Sequence, residues 1–258
     1  MPFTPMIGLE LPNDAATIWR YMDRWKFQSI LENSALYFVR SDRFNDKDSW
    51  DSVLPPKWRE KMQRVMCDRP DGEKYTEAAW YEEREIPTNP IHCWNCDENE
   101  SERMWHEYTS GTDALVIRST VGHFKECFSS TSVQVRIGLV NYGYHDDLDD
   151  PKFTITFWGD NAPAARLNPW YVPRYLKRVD FAYEKEIRAT IHVNCEPQPI
   201  DPGYNLAIGS LGICTLIESI YMHPNATSKQ RKQLKFLMDK HGFCDIPLES
   251  STLSCRNG

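Results

Sequence analysis

From Glu184 to Val193 the chain alternates. Ile187, Ala189, Ile191 and Val193 fall on one side, and Glu184, Glu186, Arg188, Thr190 and His192 on the other. A period of two residues predicts a strand with one face in the core. The opposite face then carries two carboxylates and a guanidinium side by side. Like charges two residues apart on one strand face repel unless a cation, a ligand or water separates them. The stretch from Val179 to Val193 is therefore a candidate site. Its plainer reading is a solvated strand end, because charged residues sit mostly on surfaces.

The chain has 258 residues, enough for one large or two small domains. Hydrophobic residues make up 41% and aromatics 12%, with 9 Trp, so a sizeable core can form and wholesale disorder is excluded. The balance of 30 basic and 37 acidic residues gives −7, a surface that as a whole does not attract nucleic acid, although a local basic groove stays open. No run approaches the roughly eighteen apolar residues of a membrane helix. The first residues, Met1 to Met6, lack the basic and apolar regions of a signal peptide. These features lead to an expectation of a cytoplasmic protein with no membrane partner. The 8 cysteines are scattered, and several, such as Cys127 and Cys214, sit in apolar stretches that suit small core residues in a reducing compartment.

In chain order, residues 1–16 are Pro-rich and read as an N-terminal arm, with a single domain over 17–258. Strands are expected at 17–22, 35–39, 91–94, 114–119, 133–139, 153–157 and 216–222. Asp23 caps a helix to about Glu32, with Phe27, Ile30 and Leu31 on one side. Residues 57–85 read as helical, and 145–150 as an acidic turn. Asn99 with Glu102 resembles a capping box for a helix carrying Met104, Trp105 and Tyr108, closed by Gly111. A short helix follows through Phe124 and Phe128. Residues 159–175, with three prolines and several aromatics, suggest an ordered loop or lid. A last helix runs from Ser228 to His241 with Leu234, Leu237 and Met238 inward and Gly242 as its stop. Helices and strands are intermingled without a βαβ repeat, and several strands alternate. That favours an α+β fold, a mixed or antiparallel β-sheet with helices packed on it.

Motifs narrow the chemistry. His92-Cys93-x-x-Cys96 has no second Cys-x-x-Cys to complete a structural zinc site, so no metal is expected. Gly-rich phosphate loops and a Gly-x-Ser-x-Gly elbow are absent from the sequence. Trp19, Tyr21, Trp25, Tyr37, Trp94, Trp105 and Tyr108 read mostly as core, with one or two free to stack on a flat ring. Arg20 lies between two aromatics. It reads either as a surface or ion-paired arginine or as a clamp for phosphate or carboxylate, which its planar fork suits.

The set Trp19-Arg20-Tyr21-Met22-Asp23, Leu36-Tyr37-Phe38-x-Arg40 with Phe44-Asn45-Asp46, Cys93-Trp94, Glu100-Ser101-x-x-Met104-Trp105-x-x-Tyr108 and Glu184-Lys185-Glu186-x-Arg188 resembles a bacterial and phage family known as domain of unknown function twenty-nine seventy-one. That likeness spans about residues 18 to 250. It departs after Phe44-Asn45-Asp46, where Lys47-Asp48 replaces the family's Pro and acidic residue. The order of parts is also similar to the ADP-ribosyltransferase fold: a first strand with Arg, a helix, a strand with an aromatic, and a late strand with a glutamate. Glu184-Lys185-Glu186 is similar to its Glu-x-Glu pattern. Ser119-Thr120 is reminiscent of its Ser-Thr-Ser strand, whereas Ser130-Thr131-Ser132 reads as a turn.

The second resemblance implies an enzyme that takes NAD as substrate, in the manner of a toxin or phage-defence effector. Its acceptor would be a protein or nucleic acid, and a neutralising antitoxin a possible partner. It implies Glu186 and Glu184 as catalytic. It implies Arg20, Tyr21, Tyr37, Trp105, Tyr108 and Ser119 as NAD-binding. Two rival readings are a non-catalytic interaction module on the same fold and a metal-dependent nuclease using Asp146, Asp147, Asp149 and Asp150.

Overall fold

The computed structural model describes residues 3–5, 10–40, 51, 88–143, 172–193 and 203–253. The expectations for 57–85, 145–150, 153–157 and 159–171, and for Phe44-Asn45-Asp46, lie outside these residues.

The strands are β1 (Phe3–Pro5), β2 (Thr17–Asp23), β3 (Ala35–Val39), β4 (Ile91–Asn95), β5 (Ala114–Thr120), β6 (Val135–Leu139), β7 (Asn141–Tyr142), β8 (Leu176–Lys177), β9 (Glu186–Ile191), β10 (Gly203–Ala207), β11 (Ser219–Met222) and β12 (Leu248–Ser250). The helices are α1 (Arg24–Asn33), α2 (Glu102–Tyr108), α3 (Val121–Glu126), α4 (Gly209–Leu216) and α5 (Ser228–Lys240). Ten strands form one mixed sheet in the order β1-β6-β9-β4-β2-β5-β11-β12, with β3 attached to β4 and β10 to β3. Most pairs are antiparallel, while β1–β6 and β11–β12 run parallel. The class is α+β. Phe3–Pro5 of the N-terminal segment is an edge strand of this sheet.

Local chemistry explains the turns. Asp23 is extended at the start of α1, and its carboxylate accepts from the Ser110 amide and hydroxyl rather than from the helix. Phe27, Ile30 and Leu31 face the sheet, as their spacing requires. Ser34 then adopts a left-handed conformation, φ 47°, with its N–H on the Ile30 carbonyl, and turns the chain back into β3. At α2 the cap is Ser101, whose side chain accepts from the Met104 amide. The expected Asn99 box is displaced by two residues, and the helix ends at Thr109 before reaching Gly111. Residues 216–222 divide. Leu216 closes α4, and only Ser219–Met222 is strand. On α4, Ile213 and Leu216 point inward and Cys214 is exposed, so that cysteine is not a core residue. Cys127 is buried as expected.

Each sheet face has its own cover. On one face Ile18, Met22, Leu115, Ile117, Ile187, Ala189 and Ile191 meet the apolar sides of α1, α3, α4 and α5. On the other, Trp19, Tyr21 and Val116 meet Met104 and Trp105 of α2. Strand β4 pairs with β9 along its whole length. On its other edge it meets β2 only at Asn95 and β3 only at Ile91. The β2 and β3 branches therefore part across the middle of β4.

Gly212 of α4 tests the close packing of α4 on the end of α3. A Cβ there would lie 2.7 Å from the Cys127 backbone oxygen, which cannot swing aside. In an open helix Gly→Ala gains about 1 kcal/mol. Here overpacking should outweigh that gain, so Gly212→Ala is expected to cost about 1–3 kcal/mol. A denaturation midpoint equal to or above wild type would show that the two helices have room to separate.

Candidate functional site

Strand β9 begins at Glu186, not at Glu184. Residues Val179–Glu184 form a 3-10 helix, and Lys185 takes φ 40° at its end. That left-handed residue breaks the alternation, so the two glutamates leave different elements and still converge. The Lys185 N–H bonds the Ala182 carbonyl, its own carbonyl accepts from the Cys96 amide, and the Asn95 side chain donates to the Glu184 carbonyl at 2.7 Å. Both glutamates are thus fixed through their backbones against the end of β4.

The polar face of β9 is not solvated. Every residue of the strand is buried. Glu186 is 6% exposed, Glu184 4% and Arg188 0%, which corrects the expected half-open strand. A face of charges is buried only when the charges meet each other. Arg188 gives one nitrogen to Asp51 Oδ1 and the Arg174 carbonyl, and the other to Asp51 Oδ2 and Glu186 Oε2 at 2.8 Å each. Lys177 Nζ lies 2.5 Å from Glu184 Oε2 and 3.5 Å from both Glu186 Oε2 and Asp51 Oδ2. The Tyr142 hydroxyl accepts from the Glu186 amide at 2.8 Å. Lys177 and Tyr142 come from the two-stranded pair β7–β8, which lies over the carboxylates.

These surroundings push the two acids apart. Burial would raise Glu186, but the Arg188 guanidinium and the Lys177 ammonium beside it, with a hydrogen bond from the Cys93 thiol, hold its pKa down at about 2. Burial raises Glu184, and repulsion from Glu186 adds to that, against the pull of Lys177 and the Tyr108 hydroxyl. One carboxylate is a standing anion, and the other can hold a proton. Paired acids divided in this way are the arrangement that general acid–base and charge-stabilising chemistry uses.

The expected ligand residues separate into two groups. Tyr108 of α2 reaches Glu184 with its hydroxyl. Tyr21 and Trp105 share the Glu186 face but are buried. Tyr21 accepts from the Ser101 amide at 2.7 Å, Trp105 donates to Glu100 at 2.8 Å, and the two rings meet edge to face at 5.2 Å. Tyr37 is exposed on β3, and its carbonyl lies 2.8 Å from His92 Nδ1. Arg20 and Ser119 project from the opposite face. Ser119 is fully buried, with its hydroxyl on the Leu216 carbonyl.

Arg20 is half-buried, and its guanidinium turns into the gap between the β2 and β3 branches, where it donates to the Cys93 carbonyl. A guanidinium there replaces the strand that β4 lacks at its middle. Cys93 thus links the two sides, with its carbonyl on Arg20 and its thiol on Glu186.

Lys177, Asp51, Arg188, Tyr142 and Cys93 were not picked out as site residues from the sequence. Arg188 was visible beside Glu186, and Cys93 only as part of the metal-like His92-Cys93-x-x-Cys96, but nothing local marks the rest. His92 and Cys93 point to opposite faces, so they cannot ligate one ion together. Among the described residues no group of three His, Cys, Asp or Glu side chains is placed to hold a metal ion, and no helix is long and apolar enough to cross a membrane. Surface depressions lie on the outer face of α5 around Phe236 and beside Trp25 at the start of α1. Neither is lined by Glu186 or Arg20.

No family model matches the chain, and no curated protein is similar to it. The resemblance to the twenty-nine seventy-one family therefore stands on the quoted residues alone. Among solved structures, Thermus sp. 2.9 DarT in complex with carba-NAD+ is similar over 93% of this chain and 97% of its own, at 10% identity and a TM-score of 0.38. A likeness of that size leaves the functional argument to the residues described above.

The ion-pair network predicts a pH dependence. The unfolded Glu186 binds its proton near pH 4.5 and the folded one near pH 2, so folding releases that proton and its ion pairs add stability above pH 4.5 that is lost as pH falls toward 2. Glu186→Gln should flatten the fall in urea midpoint across that window. Arg188→Met leaves Asp51 and Glu186 with only the more distant Lys177 among the described cations and should cost about 3–5 kcal/mol at neutral pH. An acid limb equally steep in Glu186→Gln and wild type would remove Glu186 from this account.

Proposed function

We propose that this chain is an ADP-ribosyltransferase-like enzyme that cleaves NAD and passes ADP-ribose to a macromolecular acceptor, protein or nucleic acid. The observation that carries the reading is the pair Glu184 and Glu186, buried together on the shared ammonium of Lys177, pushed up and down respectively by their surroundings, and with Glu186 linked through Cys93 to the guanidinium of Arg20. The order of parts supports it: Arg20 on β2, then α1, then Tyr37 on β3, and the glutamate at the start of β9.

In this reading Glu186 stays ionised and faces the ribose. Breaking the bond to nicotinamide leaves an oxocarbenium-like cation, which a fixed anion stabilises without reorganising. Glu184 takes the proton of the attacking acceptor group, and Tyr108 holds it in position. Arg20 grips the pyrophosphate through the gap between the β2 and β3 branches. Tyr37, exposed on β3, presents an aromatic face to the nicotinamide, while Tyr21 and Trp105 support the wall behind Tyr108. Ser119 braces β5 from its buried position. A role as toxin or phage-defence effector, with a neutralising partner, extends the same reading.

One observation favours a second reading. Glu184 and Glu186 lie beneath Lys177 and Tyr142. A module that kept the fold and lost turnover would have such a closed pair. The nuclease reading depends on Asp146 to Asp150, outside the described residues.

Labelled NAD incubated with the protein and cell extract separates these readings. Wild type should transfer label, and Glu186→Gln should lose at least about a hundredfold, the usual scale for removing one charge-stabilising group. Arg20→Met should weaken NAD binding more than turnover. Full transfer by Glu186→Gln would refute the role of that carboxylate, and a wild type inert toward every fraction would leave the closed module ahead.

A further inference from the structure

Glu184 and Glu186 differ in the cations they touch. Glu186 Oε2 meets both Arg188 at 2.8 Å and Lys177 at 3.5 Å. Among the described residues Glu184 meets Lys177 alone among cations, at 2.5 Å, and Tyr108 is a further side-chain partner. Lys177 is itself buried. Its ammonium also sits 3.5 Å from Asp51 and 4.9 Å from the centroid of the Phe181 ring. Among the described residues, Tyr183 and Tyr142 are further titratable groups around Glu184, and Cys93, Tyr142 and Tyr108 around Glu186.

Two buried carboxylates this close cannot both ionise near neutral pH without compensation. Arg188 compensates Glu186 whatever happens to Lys177. For Glu184 the balance rests on one ammonium. Burial and the neighbouring Glu186 drive it toward the neutral acid, and Lys177 pulls it back. A general base works best when its pKa lies near the operating pH. Too little compensation would leave Glu184 a permanent acid, and a second guanidinium would make it a permanent, weakly basic anion.

We propose that Lys177 is the positioning residue that tunes Glu184, setting the proton affinity with which that carboxylate takes the acceptor's proton. This rests on reading Glu184 as the base. Lys177 contributes no atom to the substrate. It acts through Glu184, and its place on β8 ties the tuning to the cover over the site. Arginine at this position keeps the charge, and methionine keeps the stem while removing it.

Two measurements test this, one of which needs no activity. Carboxyl-labelled glutamate read by carbon NMR follows the Glu184 titration, assigned by its loss in Glu184→Gln. Lys177→Met should move that titration up by at least about one pH unit, and Lys177→Arg by less than about half a unit. In the transfer assay Lys177→Met should lose about tenfold or more at pH 6, recover most of it by pH 9, and keep the KM for NAD. An unmoved Glu184 titration in Lys177→Met overturns the proposal, as does a rate lowered equally at every pH. Should Lys177→Met not fold, Lys177→Arg decides, because a shift of a full unit with the charge retained would also overturn it. A wild type without transfer, but with the Glu184 titration moving as stated, would sink the enzyme reading and leave the tuning intact.

Discussion

The buried guanidinium of Arg188 is the contact on which the rest of the site depends. It is fully buried and divides its nitrogens among Asp51, Glu186 and the Arg174 carbonyl. Taking a charge out of water costs several kcal/mol even after relaxation, and apolar residues of the same shape often serve stability as well or better. Stability alone therefore gives no reason to gather three carboxylates and two cations on one sheet face. What the cluster provides is placement. Asp51 comes from one part of the chain and Arg174 with Lys177 from another, and each must be in position before the charges of β9 can leave water. The ion pairs thereby dictate how the segment of β7 and β8 lies on the sheet.

Much of the frame was legible because it rests on local period. Ile187, Ala189 and Ile191 alternate into the core, and Leu234, Leu237 and Met238 recur at helical spacing, and both patterns describe the folded chain. The errors have physical causes. Glu184 continues the alternation by letter, but Lys185 adopts a left-handed backbone that no periodicity reveals. Asn99 and Ser101 are both good caps, and the Ser101 side chain, on the Met104 amide, takes the role. Leu216 and Ile217 are apolar enough for either element, and α4 claims the first of them.

The site was legible only in its acids. Glu184, Glu186 and Arg188 are neighbours in sequence, so their mutual repulsion and attraction could be reasoned about at once. Lys177 and Asp51 carry no mark that sets them apart from other charged residues, and only the folded chain brings Lys177 to the two glutamates and Asp51 to Lys177 and Arg188. Cys93 was weighed as a metal ligand with His92. The strand instead sends those two side chains to opposite faces, His92 Nδ1 to the Tyr37 carbonyl and the Cys93 thiol to Glu186. Strand geometry decided that outcome, since adjacent residues on a strand cannot converge.

Access separates a working site from a closed one, and the structure bears on how firmly it is closed. Among the described residues the cover includes β7 and β8, two residues each, paired at Asn141–Leu176 and Tyr142–Lys177. The Gly143 amide adds one bond to the Lys177 carbonyl at 3.1 Å. An isolated two-stranded pair is marginal in water, and segments with few ladder bonds open at far lower free energy than a core strand. Its hold on the site comes instead from Lys177 against the carboxylates and from Tyr142 against the Glu186 amide. In the proposed mechanism a cation developing beside Glu186 would compete with Lys177 only for Glu186 Oε2, the more distant of its two glutamate contacts at 3.5 Å. The closer contact to Glu184, at 2.5 Å, can persist while that charge develops.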